Sequence, residues 1–79
     1  MTVTADDIKR WIEENLSESH VVFSEGDGHH FEAVVLSSAF EGKNKVARHR
    51  MVYGALGDRM KNDIHALSLK TFTPEEYNR

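Results

Sequence analysis

Two runs rich in β-branched and aromatic residues, HVVFSE (20–25) and HFEAVVLS (30–37), are separated by only Gly26, Asp27, Gly28 and His29. In the second run Phe31, Ala33 and Val35 fall on one side, and His30, Glu32, Val34 and Leu36 on the other. That two-residue period is the signature of a strand. In the first run Val21 and Phe23 alternate against Val22 and Ser24. The glycine-rich link supplies turn residues, because glycine tolerates positive φ. Two strands so closely joined predict an antiparallel hairpin.

The flanking segments carry the helical period instead. In TADDIKRWIEENL, Ile8, Trp11, Ile12 and Leu16 recur at helical spacing and would face a core. Thr4 suits the cap, and Asp6 and Asp7 suit the positive end of the helix dipole. A connector, SSAFEGKNK, has room for one helical turn at Ser38 to Phe40. A longer helix is predicted from about Val46 to Met60, with Val46, Val52, Tyr53, Leu56 and Met60 as its apolar side and Lys45, Arg48 and Arg59 mostly solvated. Gly54 and Gly57 each cost such a helix about 1 kcal/mol relative to alanine, unless they serve close approach to the sheet. IHALSLKTF then reads as a third strand. In TPEEY, Thr73 caps, Pro74 takes the first helical position and Glu76 completes a capping box.

The order helix, strand, strand, helix, strand, short helix implies an α+β fold, a three-stranded mixed sheet covered by helices. The 79 residues hold one domain, 1–79, and no second core. The chain has no cysteine, which excludes disulfides and any thiolate metal site of its own. No apolar run nears the roughly 20 residues of a membrane span, so a cytoplasmic protein without a membrane partner is expected. Net charge is −3 but uneven. Between Lys43 and Lys61 six cations face one carboxylate, a local +5 against −8 elsewhere. Such a patch allows an anionic partner within an acidic chain.

Three stretches carry a family likeness: HF ahead of an apolar strand, FEGKNKVARHRMVYGAL, and IHALSLKTFTPEEY. Together they give F-x-G-x(5)-R-H-R followed by H-A-L-x-L-K-x-F-T-P. In this order and spacing the chain resembles the BolA family, and within it the short IbaG-like (YrbA-type) bacterial branch. The resemblance covers almost the whole chain. It implies a single BolA-like domain related to class II KH folds, in α-β-β-α-β order. It also implies pairing with a monothiol glutaredoxin in a heterodimer that holds a bridging [2Fe-2S] cluster, and links to iron–sulfur homeostasis and acid stress. Some members of the family act as DNA-binding transcriptional regulators.

By the same resemblance His65, opening the third strand, matches a cluster-ligand position. His30 matches the histidine of the HF motif, the second ligand in members that lack a loop cysteine, and His29 is its alternative. Imidazole is a good ligand for iron and has a precedent on one iron of Rieske centres. Two imidazoles leave each iron short of ligands. The rest would be thiolates from the glutaredoxin and its glutathione. Asp27 is placed to orient a neighbouring imidazole. On the residues alone, both a backbone-bonded strand histidine at 65 and an exposed turn histidine at 29 or 30 stay open. His49 reads as a packing or polar-contact residue, and His20 as exposed.

Lys43, Lys45, Arg48 and Arg50 form the candidate nucleic-acid or partner surface. Four cations can neutralise a few phosphates, giving salt-sensitive, weakly specific binding. The two arginines also suit carboxylates, which a guanidinium grips as a fork. The loop has Gly42 but no second glycine three residues on, so it departs from the Gly-x-x-Gly loop of KH domains. No nucleophile–base pair, phosphate loop or paired carboxylate points to an enzyme.

Overall fold

A computed structural model describes residues 3–27, 30–62 and 66–78, apart from the side chains of Phe23, Lys61 and Asn62. Helix α1 (Ala5–Asn15) starts where the sequence places it. The Asp7 amide donates to Thr4 Oγ1 at 3.1 Å and the Thr4 amide donates to Asp7 Oδ2 at 3.0 Å, a reciprocal capping box. The Thr4 backbone hydrogen bond holds the Asp7 carboxyl below the usual carboxylate range. Ile8 and Ile12 are fully buried, and Leu16 ends the apolar stripe. The turn out of α1 passes through Glu18 at φ 52. Ser19 Oγ donates to the Leu16 carbonyl at 2.7 Å and Glu13 Oε2 accepts from the Val21 amide at 2.9 Å, which ties helix to strand.

Strands β1 (Ser19–Gly26) and β2 (His30–Ser37) pair antiparallel as the hairpin reading requires. The two-residue alternation predicted for β1 does not survive intact. Val21 lies opposite Val35, whereas Phe23 lies opposite Val34 and Ser24 opposite Ala33. The extra residue, Val22, is 45% exposed. A bulge therefore sets Val21 and Ser24 opposite the buried Val35 and Ala33 of β2. Ser24 Oγ uses that position to donate to the Ala5 carbonyl at 3.2 Å. At the hairpin end Gly26 lies opposite Phe31, and a Cβ on Gly26 would overlap the Phe31 ring. Here glycine is needed for close approach rather than for its dihedral freedom.

After β2 the chain makes a 3-10 turn at Ser38–Phe40, as expected, and drops the fully buried Phe40 into the core. Ser37, also buried, donates to the Ser17 carbonyl at 2.8 Å and accepts from the Ala39 amide at 3.1 Å. The predicted long helix is two helices, α2 (Lys45–Leu56) and α3 (Arg59–Asn62). They break at Gly57, whose φ of 59° and ψ of −136° suit glycine alone. A Cβ on Gly54 or Gly57 would meet nothing within 4 Å, so neither serves close approach to the sheet. The apolar side of α2 also differs from expectation. Val52, Ala55 and Leu56 are buried, while Val46 is 59% exposed and Tyr53 37% exposed. Arg59 is not simply solvated, since its guanidinium sits over the Trp11 ring, 4.4 Å from the centroid.

Strand β3 (Ala66–Phe72) pairs parallel with β2, His30 opposite Ala66 through Leu36 opposite Phe72. The sheet is mixed, in order β1-β2-β3. Leu69 is buried on the same side as Phe31, Ala33 and Val35, and Leu67 packs partly against that core. His30, Glu32, Ser68 and Lys70 are exposed. Helix α4 (Pro74–Tyr77) closes the chain with the predicted Thr73–Glu76 capping box. No helix among the described residues is long and apolar enough to cross a membrane.

Two glycines in contrasting settings test this packing. Gly26→Ala should destabilise by about 2 kcal/mol, because overpacking displaces a buried ring. Gly54→Ala should stabilise by about 0.5–1 kcal/mol, a helix-interior glycine replaced where space is open. Urea unfolding read by circular dichroism measures both; equal effects would contradict the assigned environments.

Candidate functional site

His30 is the first residue of β2, and its side chain is 71% exposed. Asp27 organises its approach. The His30 amide donates to Asp27 Oδ1 at 2.8 Å, and the Asp27 amide donates to the His30 carbonyl at 3.3 Å. Asp27 Oδ2 lies 3.8 Å from His30 Nδ1. The ring therefore has a carboxylate near its Nδ1 side, at a separation longer than a hydrogen bond. An open cleft of about 370 Å³ adjoins it, lined in part by Glu25, Asp27, His30, Glu32, Ala66 and Ser68. The register sets Glu25 opposite Glu32, so this end of the sheet is acidic.

Of the three candidate metal ligands, the structure places His30. His29 and His65 lie outside the described residues, and so does their distance from His30. The parallel pairing nevertheless sets His30 opposite Ala66, the residue that follows His65 in sequence. Among the described residues no group of three His, Cys, Asp or Glu side chains is placed to hold a metal ion.

The basic surface divides into two kinds of residue. Lys43, Lys45 and Arg50 are exposed, as a partner surface needs. Arg48 is not among them. Its side chain is only 12% exposed, and it donates from Nη1 to Glu76 Oε1 at 2.7 Å and from Nη2 to Glu76 Oε2 at 3.1 Å. Its Nε donates to the Lys43 carbonyl at 2.8 Å, and its guanidinium stacks 5.8 Å from the Phe40 centroid. The hydrogen bond to Glu76 raises the Arg48 pKa above its ordinary value against the opposing effect of burial. The fork recognised in the sequence is thus satisfied within the chain, by a carboxylate 28 residues away. His49 packs edge-on to Tyr53, with ring centroids 6.3 Å apart, in line with a packing role. Its Nε2 is buried without a hydrogen-bond partner. Lys70, on β3, joins Lys45 in lining a separate cleft of about 280 Å³ between the start of α2 and the end of β3. Sequence reading missed it, because one lysine on the polar side of a strand has no distinguishing pattern.

The family profile for BolA-like protein matches residues 11–76. The chain belongs to the BolA family. It is 42% identical over 62 residues to the DNA-binding transcriptional regulator BolA of Haemophilus influenzae, covering 77% of this chain and 60% of that protein. To the acid stress protein IbaG of Escherichia coli K12 it is 39% identical over 66 residues, covering 82% and 75%. The solved structure of a bolA protein homologue from Coxiella burnetii superposes with a TM-score of 0.93 at 66% identity, covering 98% of this chain and 99% of that one. The match with the Haemophilus regulator spans less than two thirds of that regulator's length. The BolA fold and the resemblance drawn from the motifs are therefore borne out.

The Arg48–Glu76 clasp makes a prediction about α4. A double-mutant cycle on Arg48→Ala and Glu76→Ala should give a coupling of about 1 kcal/mol, at the upper end for a partly exposed pair of fork geometry. Amide exchange at Tyr77 and Asn78 should speed up in Glu76→Gln. Unchanged exchange would show that the clasp does not hold α4.

Proposed function

We propose that this BolA-family protein is an adaptor rather than a catalyst, one that pairs with a monothiol glutaredoxin and shares a [2Fe-2S] cluster with it. His65 and His30, or His29 in its place, would be its ligands. The observation that carries the reading is the register of β2 on β3. It sets an exposed imidazole at the head of one strand opposite the residue that follows a second histidine in the other. The described donor fits such a role. His30 is accessible at the rim of an open cleft, with the Asp27 carboxylate close by. A cluster supplies electron-transfer or cluster-donation chemistry when bound. This chain has no thiol, so the remaining ligands would be cysteine and glutathione sulfurs of the partner. Glu25, Asp27 and Glu32 line the cleft, so a partner docking there is expected to meet them with cations.

Anaerobic reconstitution with a monothiol glutaredoxin tests this, read by visible circular dichroism and by acid-labile sulfide. The heterodimer should show a cluster spectrum distinct from that of the glutaredoxin alone. His65→Ala should remove the distinct features, and His30→Ala should alter them unless His29 is the ligand, in which case His29→Ala does so. A spectrum indifferent to all three substitutions sinks the ligand assignment.

A second reading, DNA binding, is favoured by the name of the Haemophilus relative and by the exposure of Lys43, Lys45 and Arg50. Because Arg48 is engaged internally, three cations remain to meet phosphates. The slope of log affinity against log salt on duplex DNA should then be about −3, at roughly 0.9 per contact. Arg48→Gln should leave that slope unchanged. A steeper slope that falls when Arg48 is replaced would show that the clasp opens on DNA.

A further inference from the structure

The two faces of the sheet differ in what covers them. On one face Phe31, Ala33, Val35 and Leu69 share a single core with Ile8, Ile12, Val52 and Leu56 of the long helices. The alternate residues of β2 and β3 belong to the opposite face. Register arranges that face in rows. Glu25, Glu32 and Ser68 form one, Val34 and Lys70 the next, and His20, Leu36 and Phe72 the last.

A sheet face left to water is normally polar. Here Val34, Leu36 and Phe72 are half-buried, yet none of them packs against the core. The Phe72 ring carries Tyr77, centroids 5.6 Å apart, and Tyr77 is itself 47% exposed. These four side chains make a second apolar group. Among the described residues the four-residue α4, at the tail of the strands, is the helix that reaches it.

Charge on the same face runs in one direction. The head row holds Glu25 and Glu32, beside the open cleft of about 370 Å³. The two rows nearer the tail hold Lys70 and His20, with no carboxylate on the strands. A patch that is negative at one end and positive at the other complements itself after half a turn about an axis across the strands. Half a turn about an axis along the strands would instead bring the acidic heads together, which like charges oppose.

We infer that this face binds a second copy of the chain, face to face and with strands antiparallel, in a two-fold dimer. An axis level with Ala33 and Leu69 sets the Glu32 row over the Lys70 row of the second copy. The Leu36–Phe72 row then lies over His30 and Ala66, and Tyr77 reaches toward the head cleft of the second copy. Symmetry makes each of these contacts twice. Three strands about 4.8 Å apart, each of about seven residues at roughly 3.3 Å, present on the order of 300–400 Å² per copy. That is about half of the roughly 800 Å² per partner in a standard interface. The dimer is accordingly weak, with a Kd on the order of 0.1–1 mM. It would cover the cleft beside His30, so a partner docking at the head competes with it. It does not rest on the cluster reading, and its test needs neither metal nor glutaredoxin.

The test is sedimentation equilibrium of the full chain from 0.05 to 2 mM, with amide shifts of the nitrogen-15-labelled protein followed on dilution. Mass should rise toward that of a dimer and no further. Concentration-dependent shifts should gather on residues 20–25, 30–36, 66–72 and 77. Glu32→Lys and Lys70→Glu should each weaken association about tenfold, since the two-fold counts each exposed pair twice. The double variant should recover to within about threefold of the original. Lys9→Glu, at an exposed lysine of α1, should change nothing. A chain that stays monomeric at 2 mM overturns the inference, and so does a double variant as weak as the single ones. Mass growing past a dimer would mean open head-to-tail stacking. Shifts confined to α1 and α2, or new exchange protection along the free edge of β3, would place self-association elsewhere, and each of these three results overturns the face-to-face dimer as well.

Discussion

The parallel pairing of β2 with β3 is the constraint on which the rest of this small domain depends. Parallel neighbours cannot be joined by a tight turn, so the chain must cross over between them. That crossover carries Phe40, Val52 and Leu56 into the core, where they complete the layer begun by Ile8, Ile12, Phe31 and Val35. One strand-to-strand register thereby decides which residues of α2 are buried. The same register aligns the head of β2 with the head of β3 and creates the acidic cleft around His30. At the other end it brings Phe72 and Thr73 to the base of α4, within reach of Arg48.

Two surfaces of opposite character result. The hairpin end is acidic and carries the exposed His30 with Asp27 at its side. The head of α2 is basic, and its cations have divided duties. Arg48 looks inward, stapling the connector, the core ring of Phe40 and the final helix together, while Lys43, Lys45 and Arg50 remain outward. A protein with a net charge of −3 thus keeps, among its described residues, a localised positive face.

Features set by neighbours in sequence were legible before any coordinates. Both capping boxes involve residues three apart, and the hairpin follows from two alternating runs on a short glycine link. What escaped depends on distant partners or on a single dihedral angle. The Arg48–Glu76 pair joins residues 28 apart, so Arg48 resembled any other surface arginine. The bulge at Val22 adjusts one strand to another, and no composition signal marks it. Gly57 was visible as a weak point, but a helix-interior cost and a chain break look alike in sequence; only the positive φ separates them. For the candidate site, the His30 motif and the basic stretch were readable. The contribution of Lys70 required knowing which strand borders α2.

The stacking of Arg59 on Trp11 has a practical consequence. Trp11 is the sole indole in the chain, and the cation over its face comes from the short helix that leads toward the segment containing His65. A guanidinium held against an indole alters its emission, so intrinsic fluorescence becomes a built-in optical gauge of whether that helix is seated. Docking of any partner that displaces it would be visible without a label.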